Sequence, residues 1–221
     1  DYSFIDIPLI KERFLEELNH ELNYKQKNLP EKKEKLKLLK EQILEMEKNL
    51  ESGSSSSREY RYFQEIESQH ESETRVLEER IEELQQLIPQ IQDFTNDKNF
   101  VLNHLVIFAR GGYGRAELGL SSDRDLGYCL DTNRLNNGEA EMLRQLIVHI
   151  ENLLRNSGVE TAHQYFEIDE DLSRFDEVNT LHTIPSILES RVLLGSESLA
   201  TNLKNRFFQV ITFEPYVLNL V

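Results

Sequence analysis

Two stripes of apolar residues at heptad spacing constrain this chain more than any other feature. Leu36, Leu39, Ile43, Met46 and Leu50 follow one another at steps of 3, 4, 3 and 4, and Leu77, Ile81, Leu84, Ile88 and Ile91 at steps of 4, 3, 4 and 3. Such spacing keeps one narrow apolar seam on a helix, with polar residues elsewhere. Glu78, Glu79, Glu82 and Glu83 fall on the outer side of the second stripe. The run Ser52-Gly53-Ser54-Ser55-Ser56-Ser57 breaks the pattern between the two stripes. Two helices of similar length joined by a short Gly/Ser turn predict an antiparallel coiled-coil hairpin over 31–51 and 58–92, turning near 52–57. Upstream, Ile10, Phe14, Leu18 and Leu22 recur every fourth residue behind Pro8, which suits a first helical turn. Pro30 is expected to end that run and start the next helix, because proline supplies no N–H to a helix interior.

The hairpin can bury its stripes on itself and space domains, or it can dock a partner or a second copy; the sequence leaves both open. Arg58, Tyr60, Arg61 and Tyr62 form a basic and aromatic cluster that suits a solvated helix start as well as a ligand.

Eight of the nine glycines lie after residue 110, so the second half reads as a turn-rich mixed domain. The expected division is a helical domain over 1–98 and an α/β unit over 99–221, an α+β chain with C-terminal helices. Within the second unit, 102–109 reads as a buried strand. Arg124 to Leu130 reads as a second strand, in which Leu126, Tyr128 and Leu130 alternate with Asp125, Gly127 and Cys129. A loop at 136–138 leads to an amphipathic helix over 139–156, with Met142, Leu146, Ile150 and Leu153 on one face and Gly158 as its stop. A third strand is expected over 159–166, and helices over 184–194 and 199–209.

Charge narrows the function classes. The 221 residues carry 25 Lys and Arg against 40 Asp and Glu, a net charge of −15. An acidic surface repels phosphate backbones, which argues against broad nucleic-acid binding. The single Cys129 makes no intrachain disulfide and belongs to no zinc-binding cluster. No apolar run is long enough to span a bilayer and no signal peptide is visible, so a cytoplasmic location is expected. The chain opens without Met and stops in an apolar stretch, which reads as a piece of something longer, cut short at its C-terminal end.

The stretch from Gly111 to Asp125 carries the chemistry. Gly111 and Gly112 directly follow a buried strand, where the lack of Cβ atoms lets backbone N–H groups approach an anion closely. Asp123 and Asp125, at strand spacing i, i+2, point to one face. Carboxylates that close repel each other unless a cation lies between them, and Mg²⁺ takes one or two carboxylates together with phosphate oxygens. A phosphate cradle facing a divalent-metal site suits attack on the α-phosphate of a nucleoside triphosphate.

The order strand, Gly-Gly, ten residues, Asp-x-Asp on a second strand resembles the DNA-polymerase-β-type nucleotidyltransferase superfamily. Gly111-Gly112-Tyr113-Gly114-Arg115-x-Glu117-Leu118, followed by Ser122-Asp123-x-Asp125-Leu126, resembles the nucleotidyltransferase domain of bacterial PII-protein uridylyltransferases. Glutamine-synthetase adenylyltransferases and the nucleotidyltransferase-like domains beside CBS or cyclic-nucleotide-binding domains are similar. The stretches 158–163 and 187–195 look like further segments of the same family, so the resemblance covers about residues 104–206. It implies that Gly111 and Gly112 hold the triphosphate and that Asp123 and Asp125 hold Mg²⁺. It also implies that Ser122 touches phosphate, and that Arg115 and Glu117 brace the loop or touch the nucleotide. Many members of the superfamily place a third carboxylate on the next strand as base for the attacking hydroxyl. Glu160 is the acid within 159–166, with Glu167 as the fallback. The family's arginine after the matched histidine is replaced by Phe166, and the hydrolase and regulatory domains of uridylyltransferases have no counterpart in these residues.

Two functions are therefore in play. One is an Mg²⁺-dependent transferase that moves a nucleoside monophosphate from an NTP to a hydroxyl, on a protein. The other is an inactive, nucleotide-sensing regulatory module assembled through its coiled coil. The remaining histidines form no ligand spacing, Cys129 reads as a packing thiol, and Asp169-Glu170-Asp171 as a solvated acidic loop.

Overall fold

The computed structural model describes residues 6–51, 57–110, 124–156, 161–168 and 188–213. It divides into two compact units, residues 13–92 and residues 1–12 with 93–221. The chain is an α+β protein.

The first unit is built from two long helices. α1 runs from Ile7 to Glu51, its first turns belonging to the other unit, and α2 from Ser57 to Gln92. Asp6 caps α1, its Oδ1 accepting the Leu9 N–H at 3.1 Å and its backbone oxygen the Ile10 N–H. Pro8 sits in that first turn, as the sequence reading expects. Pro30 does not end the helix: α1 continues through it without a break. An interior proline costs a helix about 3 kcal/mol, so packing and charge on both sides must offset it. Pro30 lies on the exposed face, and cross-helix pairs flank it: Glu21 with Arg80 before it, Lys32 with Glu73 and Lys33 with Glu78 after it.

Those pairs also fix the direction and register. Glu21 meets Arg80, Lys32 meets Glu73, Lys40 meets Glu71, and Glu47 accepts from the Tyr60 hydroxyl, so α2 runs antiparallel to α1. Residues 31–51 thus lie beside α2 from its start to about Glu78. The more apolar end of α2, with Ile81, Leu84, Ile88 and Ile91 all buried, runs alongside the earlier stripe of Phe14 and Leu18. The expected pairing of 31–51 with the whole of 58–92 is corrected accordingly, and the cause is the continuity of α1 through Pro30. Ile43 is buried, Leu36, Leu39, Met46 and Leu77 are half-buried, and Leu50 lies outside the described side chains. In the half facing 31–51 the α2 seam is more polar: Thr74 is buried, its Oγ1 donating to the His70 carbonyl at 2.8 Å.

The second unit is a four-stranded sheet of order β3-β2-β1-β4. β1 is Leu105–Ala109, β2 Arg124–Asp131, β3 Thr161–Ile168 and β4 Arg191–Gly195. β1 pairs antiparallel with both β2 and β4, and β2 pairs parallel with β3. A parallel pair requires a crossover, and a helix here named α4, Asn137–Asn156, supplies it. Its buried face holds Ala140, Met142, Leu143, Leu146, Ile147 and Ile150. α4 begins two residues before the expected Glu139 because Asn136 and Glu139 form a reciprocal capping box. Asn136 Oδ1 accepts the Glu139 N–H and Glu139 Oε2 accepts the Asn136 N–H, each at 2.9 Å.

Residues 102–104, expected as strand, belong instead to a short helix α3, Lys98–His104. Asp97 caps it by accepting the Asn99 N–H at 2.9 Å, and the helix passes directly into β1. Phe100 packs edge-on against Phe94, ring centroids 5.7 Å apart. Residues 191–194, expected as the end of a helix, form strand β4 on the far edge of β1. Gly195 ends it with φ of 97°, and an added Cβ would stand 1.9 Å from the Leu105 carbonyl oxygen. That turn requires glycine. Ser196 then caps the last helix, α5, Glu197–Phe213, by accepting the Leu199 N–H at 3.2 Å. Leu199, Ala200 and Leu203 of α5 pack over Val106, Phe108 and Cys129.

Candidate functional site

β1 and β2 are neighbours in the sheet, and the segment joining them, 111–123, carries Gly111, Gly112, Arg115, Glu117, Ser122 and Asp123. These six residues lie outside the described residues, as does Glu160. The structure does describe both ends of that segment. Ala109 pairs with Leu126, and one position further along the ladder the Arg110 N–H donates to the Asp125 carbonyl at 2.9 Å. Arg110 Nε donates to the Leu126 carbonyl at 3.2 Å. The residue before the Gly-Gly pair and the second aspartate of Asp-x-Asp are thereby held together.

Asp125 is half-buried at the head of β2. Alternation along the strand puts it on one face with Gly127 and Cys129. Gly127 faces Phe108 and Cys129 faces Val106 across the ladder, so this is the face that α5 covers. The approach is close at Gly127, where a Cβ would stand 2.3 Å from Phe108 Cε2. Phe108 therefore seats its ring over a position two residues from Asp125. Cys129 is fully buried in that cluster, a packing thiol.

Arg110 is a residue beside Asp125 that the sequence reading does not single out. It is half-buried, and desolvation pushes its guanidinium down from the ordinary arginine value while the Asp125 carboxylate opposes that shift. The signal was present as a lone cation at the end of an apolar strand, directly before Gly-Gly.

On the other side of β2 the parallel register places Thr161 opposite Arg124 and Ala162 opposite Asp125. Glu160 immediately precedes Thr161 in the chain, as Asp123 immediately precedes Arg124. The described residues from which the two acids extend are thus partners in one ladder. Tyr128, on the opposite face from Asp125, is fully buried, and burial with the nearby Glu151 charge pushes its hydroxyl well above the ordinary tyrosine value.

Among the described residues no group of three His, Cys, Asp or Glu side chains could hold a metal ion. Of the expected donors, Asp125 is the one described. A half-buried carboxylate, with a second aspartate two residues before it, offers oxygen alone and fits a hard divalent cation rather than zinc. No helix among the described residues is long and apolar enough to cross a membrane.

No family model matches the chain, and no solved structure matches it significantly. Curated relatives do. Over 115 residues, 52% of this chain, it is 30% identical to the bifunctional uridylyltransferase/uridylyl-removing enzyme of Zymomonas mobilis. It is 34% identical over 101 residues to the enzyme of that name from Azospirillum brasilense, and 36% identical over 96 residues to that of Psychrobacter arcticus. The matched regions are 12%, 10% and 10% of those proteins. About half of this chain is therefore distantly related to bifunctional uridylyltransferase/uridylyl-removing enzymes, and spans about a tenth of their length.

Proposed function

We propose that the chain is a nucleotidyltransferase that moves a nucleoside monophosphate from a nucleoside triphosphate to a hydroxyl group on a protein. One observation carries this reading: the segment holding Gly-Gly and Asp-x-Asp begins and ends at two residues held together across the β1–β2 ladder, Arg110 and Asp125. The distant relationship to uridylyltransferases supports it.

In this reading Gly111 and Gly112 present backbone N–H groups to the triphosphate, Ser122 contacts phosphate, and Arg115 and Glu117 brace the loop. Asp123 and Asp125 would hold Mg²⁺, which when bound neutralises charge on the phosphate oxygens. The acceptor hydroxyl attacks the α-phosphorus and its proton passes to Glu160. The bond from the α-phosphorus to the bridging oxygen breaks, and pyrophosphate leaves.

The deciding experiment incubates the chain with Mg²⁺, each of the four NTPs and a protein extract, and measures intact protein masses. A protein gaining the mass of one nucleoside monophosphate, with pyrophosphate released in equal amount, is the expected result. Neither product with any NTP, while a nucleotide still binds, would instead support a nucleotide-sensing module.

A further inference from the structure

We propose that one side of the α1–α2 pair, marked by Tyr24, Val76, Leu38 and Tyr62, docks a basic amphipathic helix of a partner protein. This surface lies within residues 13–92 and is independent of the nucleotide reading.

The ion pairs define two sides of the helical pair. Lys33–Glu78 and Lys40–Glu71 share one, since seven residues, two helical turns, separate their members on each helix. Glu21–Arg80 and Lys32–Glu73 mark the other. Among the described residues of this unit five large apolar side chains are exposed, and four of them fall on the Glu21–Arg80 side. Tyr24 stands one turn after Glu21, and Leu38 two heptads further on; Val76 stands between Glu73 and Arg80, and Tyr62 two heptads before it. The fifth, Leu44, is one turn past Lys40, on the opposite side. With Lys32 on Glu73 and Glu47 on Tyr60, the four alternate between the helices in the order Tyr24, Val76, Leu38, Tyr62. They span about 20 residues of helix, or about 30 Å.

Single exposed apolar residues are ordinary, but a row of four on one side of two helices marks a docking surface. An open groove of about 710 Å³ runs along it, lined by Lys32 on α1 and by Glu65, Ser72, Glu73 and Val76 on α2. The seam beneath is thinly covered. Over 19–49 and 58–80 the buried residues among those described are Ile43 and Thr74, while Leu36, Leu39, Phe63 and Ile66 are half-buried.

Charge selects the occupant. Glutamates flank the row at helical spacing: Glu59 and Glu65 beside Tyr62, Glu79 beside Val76, Glu41 and Glu45 beside Leu38. Among the described residues Glu41, Glu45, Glu59 and Glu65 enter no ion pair, whereas Lys25, Lys32, Lys35 and Arg80 are matched by Glu21, Glu73 and Glu31. A second copy would set this acidic row against itself, which like charge opposes. A helix with apolar residues at heptad spacing and Lys or Arg between them meets both features.

Fluorescence anisotropy of the full chain tests this with a labelled helical peptide of about 20 residues, leucine at heptad spacing and lysine between. The same peptide with glutamate for lysine, and a basic peptide of scrambled order, are the comparisons. The ordered basic peptide is expected to bind, less tightly as salt rises, and the comparison peptides about tenfold more weakly or worse. Leu38→Gln with Val76→Gln should cut its affinity about tenfold, with helical ellipticity and melting unchanged because both positions are exposed. If that double variant misfolds, Tyr24→Gln with Tyr62→Gln takes its place. Glu59→Gln with Glu65→Gln should weaken binding and flatten its salt dependence. Leu44→Gln, on the opposite side, should bind like the parent. Equal binding of ordered and scrambled peptides, equal losses in Leu44→Gln and in the double variant, or no binding of the ordered basic peptide overturns the proposal. So does a dimer in sedimentation that Leu38→Gln with Val76→Gln dissolves, which would give the row to a second copy.

Discussion

The Arg110 N–H and the Asp125 carbonyl meet at 2.9 Å, so the fourteen residues between them, 111–124, start and finish at one paired position. That position is the end of the β1–β2 ladder, on the sheet face where α5 packs.

The carboxylate pair can be tested through stability. Ligands that bind only the folded state stabilise it by mass action, by about 2.7 kcal/mol at a hundredfold excess over Kd. Mg²⁺ with the preferred NTP is therefore expected to raise Tm by several degrees. The double variant Asp123→Asn, Asp125→Asn should lose that rise, and a retained shift in thermal melts would remove both residues from the site.

Glu160 can be tested through turnover. A general base within reach of the attacking hydroxyl contributes about 10²–10⁴-fold. Glu160→Gln should lower kcat by that factor and leave nucleotide affinity nearly intact. Equal turnover in the variant would transfer the role elsewhere, with Glu167→Gln the next substitution to measure.

Gly127 is a packing requirement beside the site. A Cβ there would overlap the Phe108 ring, with three ring carbons between 2.3 and 2.9 Å away. Gly127→Ala should destabilise the second unit by about 1–3 kcal/mol, the usual cost of overpacking. The added substitution Phe108→Leu should return part of that loss. Chemical denaturation of the two variants decides the matter, and an unchanged midpoint for Gly127→Ala would contradict the close approach.

The Glu21–Arg80 pair predicts the acid response of the helical unit. Arg80 donates to both Glu21 carboxylate oxygens at 3.0 Å and holds its carboxyl below the ordinary value of 4.5. A depressed carboxylate stabilises the fold above its unfolded pKa, and that contribution disappears as pH falls through the folded value. Helical stability should therefore decline below about pH 4.5. Glu21→Gln should lose about 0.5–1 kcal/mol at neutral pH, in line with a partly solvated ion pair, and show a flatter acid limb. Urea titrations at pH 7 and pH 4 followed by helical ellipticity provide the check; parallel curves for parent and variant would deny the pair any role.

Sequence pattern made the strongly periodic elements readable. The α4 stripe of Met142, Leu146 and Ile150 and the alternation along β2 locate those elements to within two residues. Errors arose where local pattern was overruled from a distance. The Leu-rich run 187–194 fits a helix by composition, yet 191–195 is claimed by the free edge of β1 and by the turn that only Gly195 permits. Pro30 reads as a helix end, yet α1 runs on through it, flanked by cross-helix pairs whose partners are tens of residues away in sequence. Residues 102–104 look like strand because the capping role of Asp97 is a single side chain's doing. At the candidate site, the Asp-x-Asp spacing singles out Asp125 as an expected ligand. Arg110 is marked in the sequence only as a cation between an apolar strand and Gly-Gly, and no residue-type pattern records its hydrogen bonds to the Asp125 and Leu126 carbonyls.

The parallel register of β2 and β3 has an evolutionary consequence. The pairing of Arg124 with Thr161 means that two stretches carrying acids, one ending at Asp123 and one at Glu160, adjoin the sheet at the same rung. Neither acid belongs to the paired strands themselves, whose ladder is set by residues 124–131 and 161–168. Selection can then revise or abolish the chemistry of such a domain while its scaffold is inherited intact, so active and silent descendants can share one sheet.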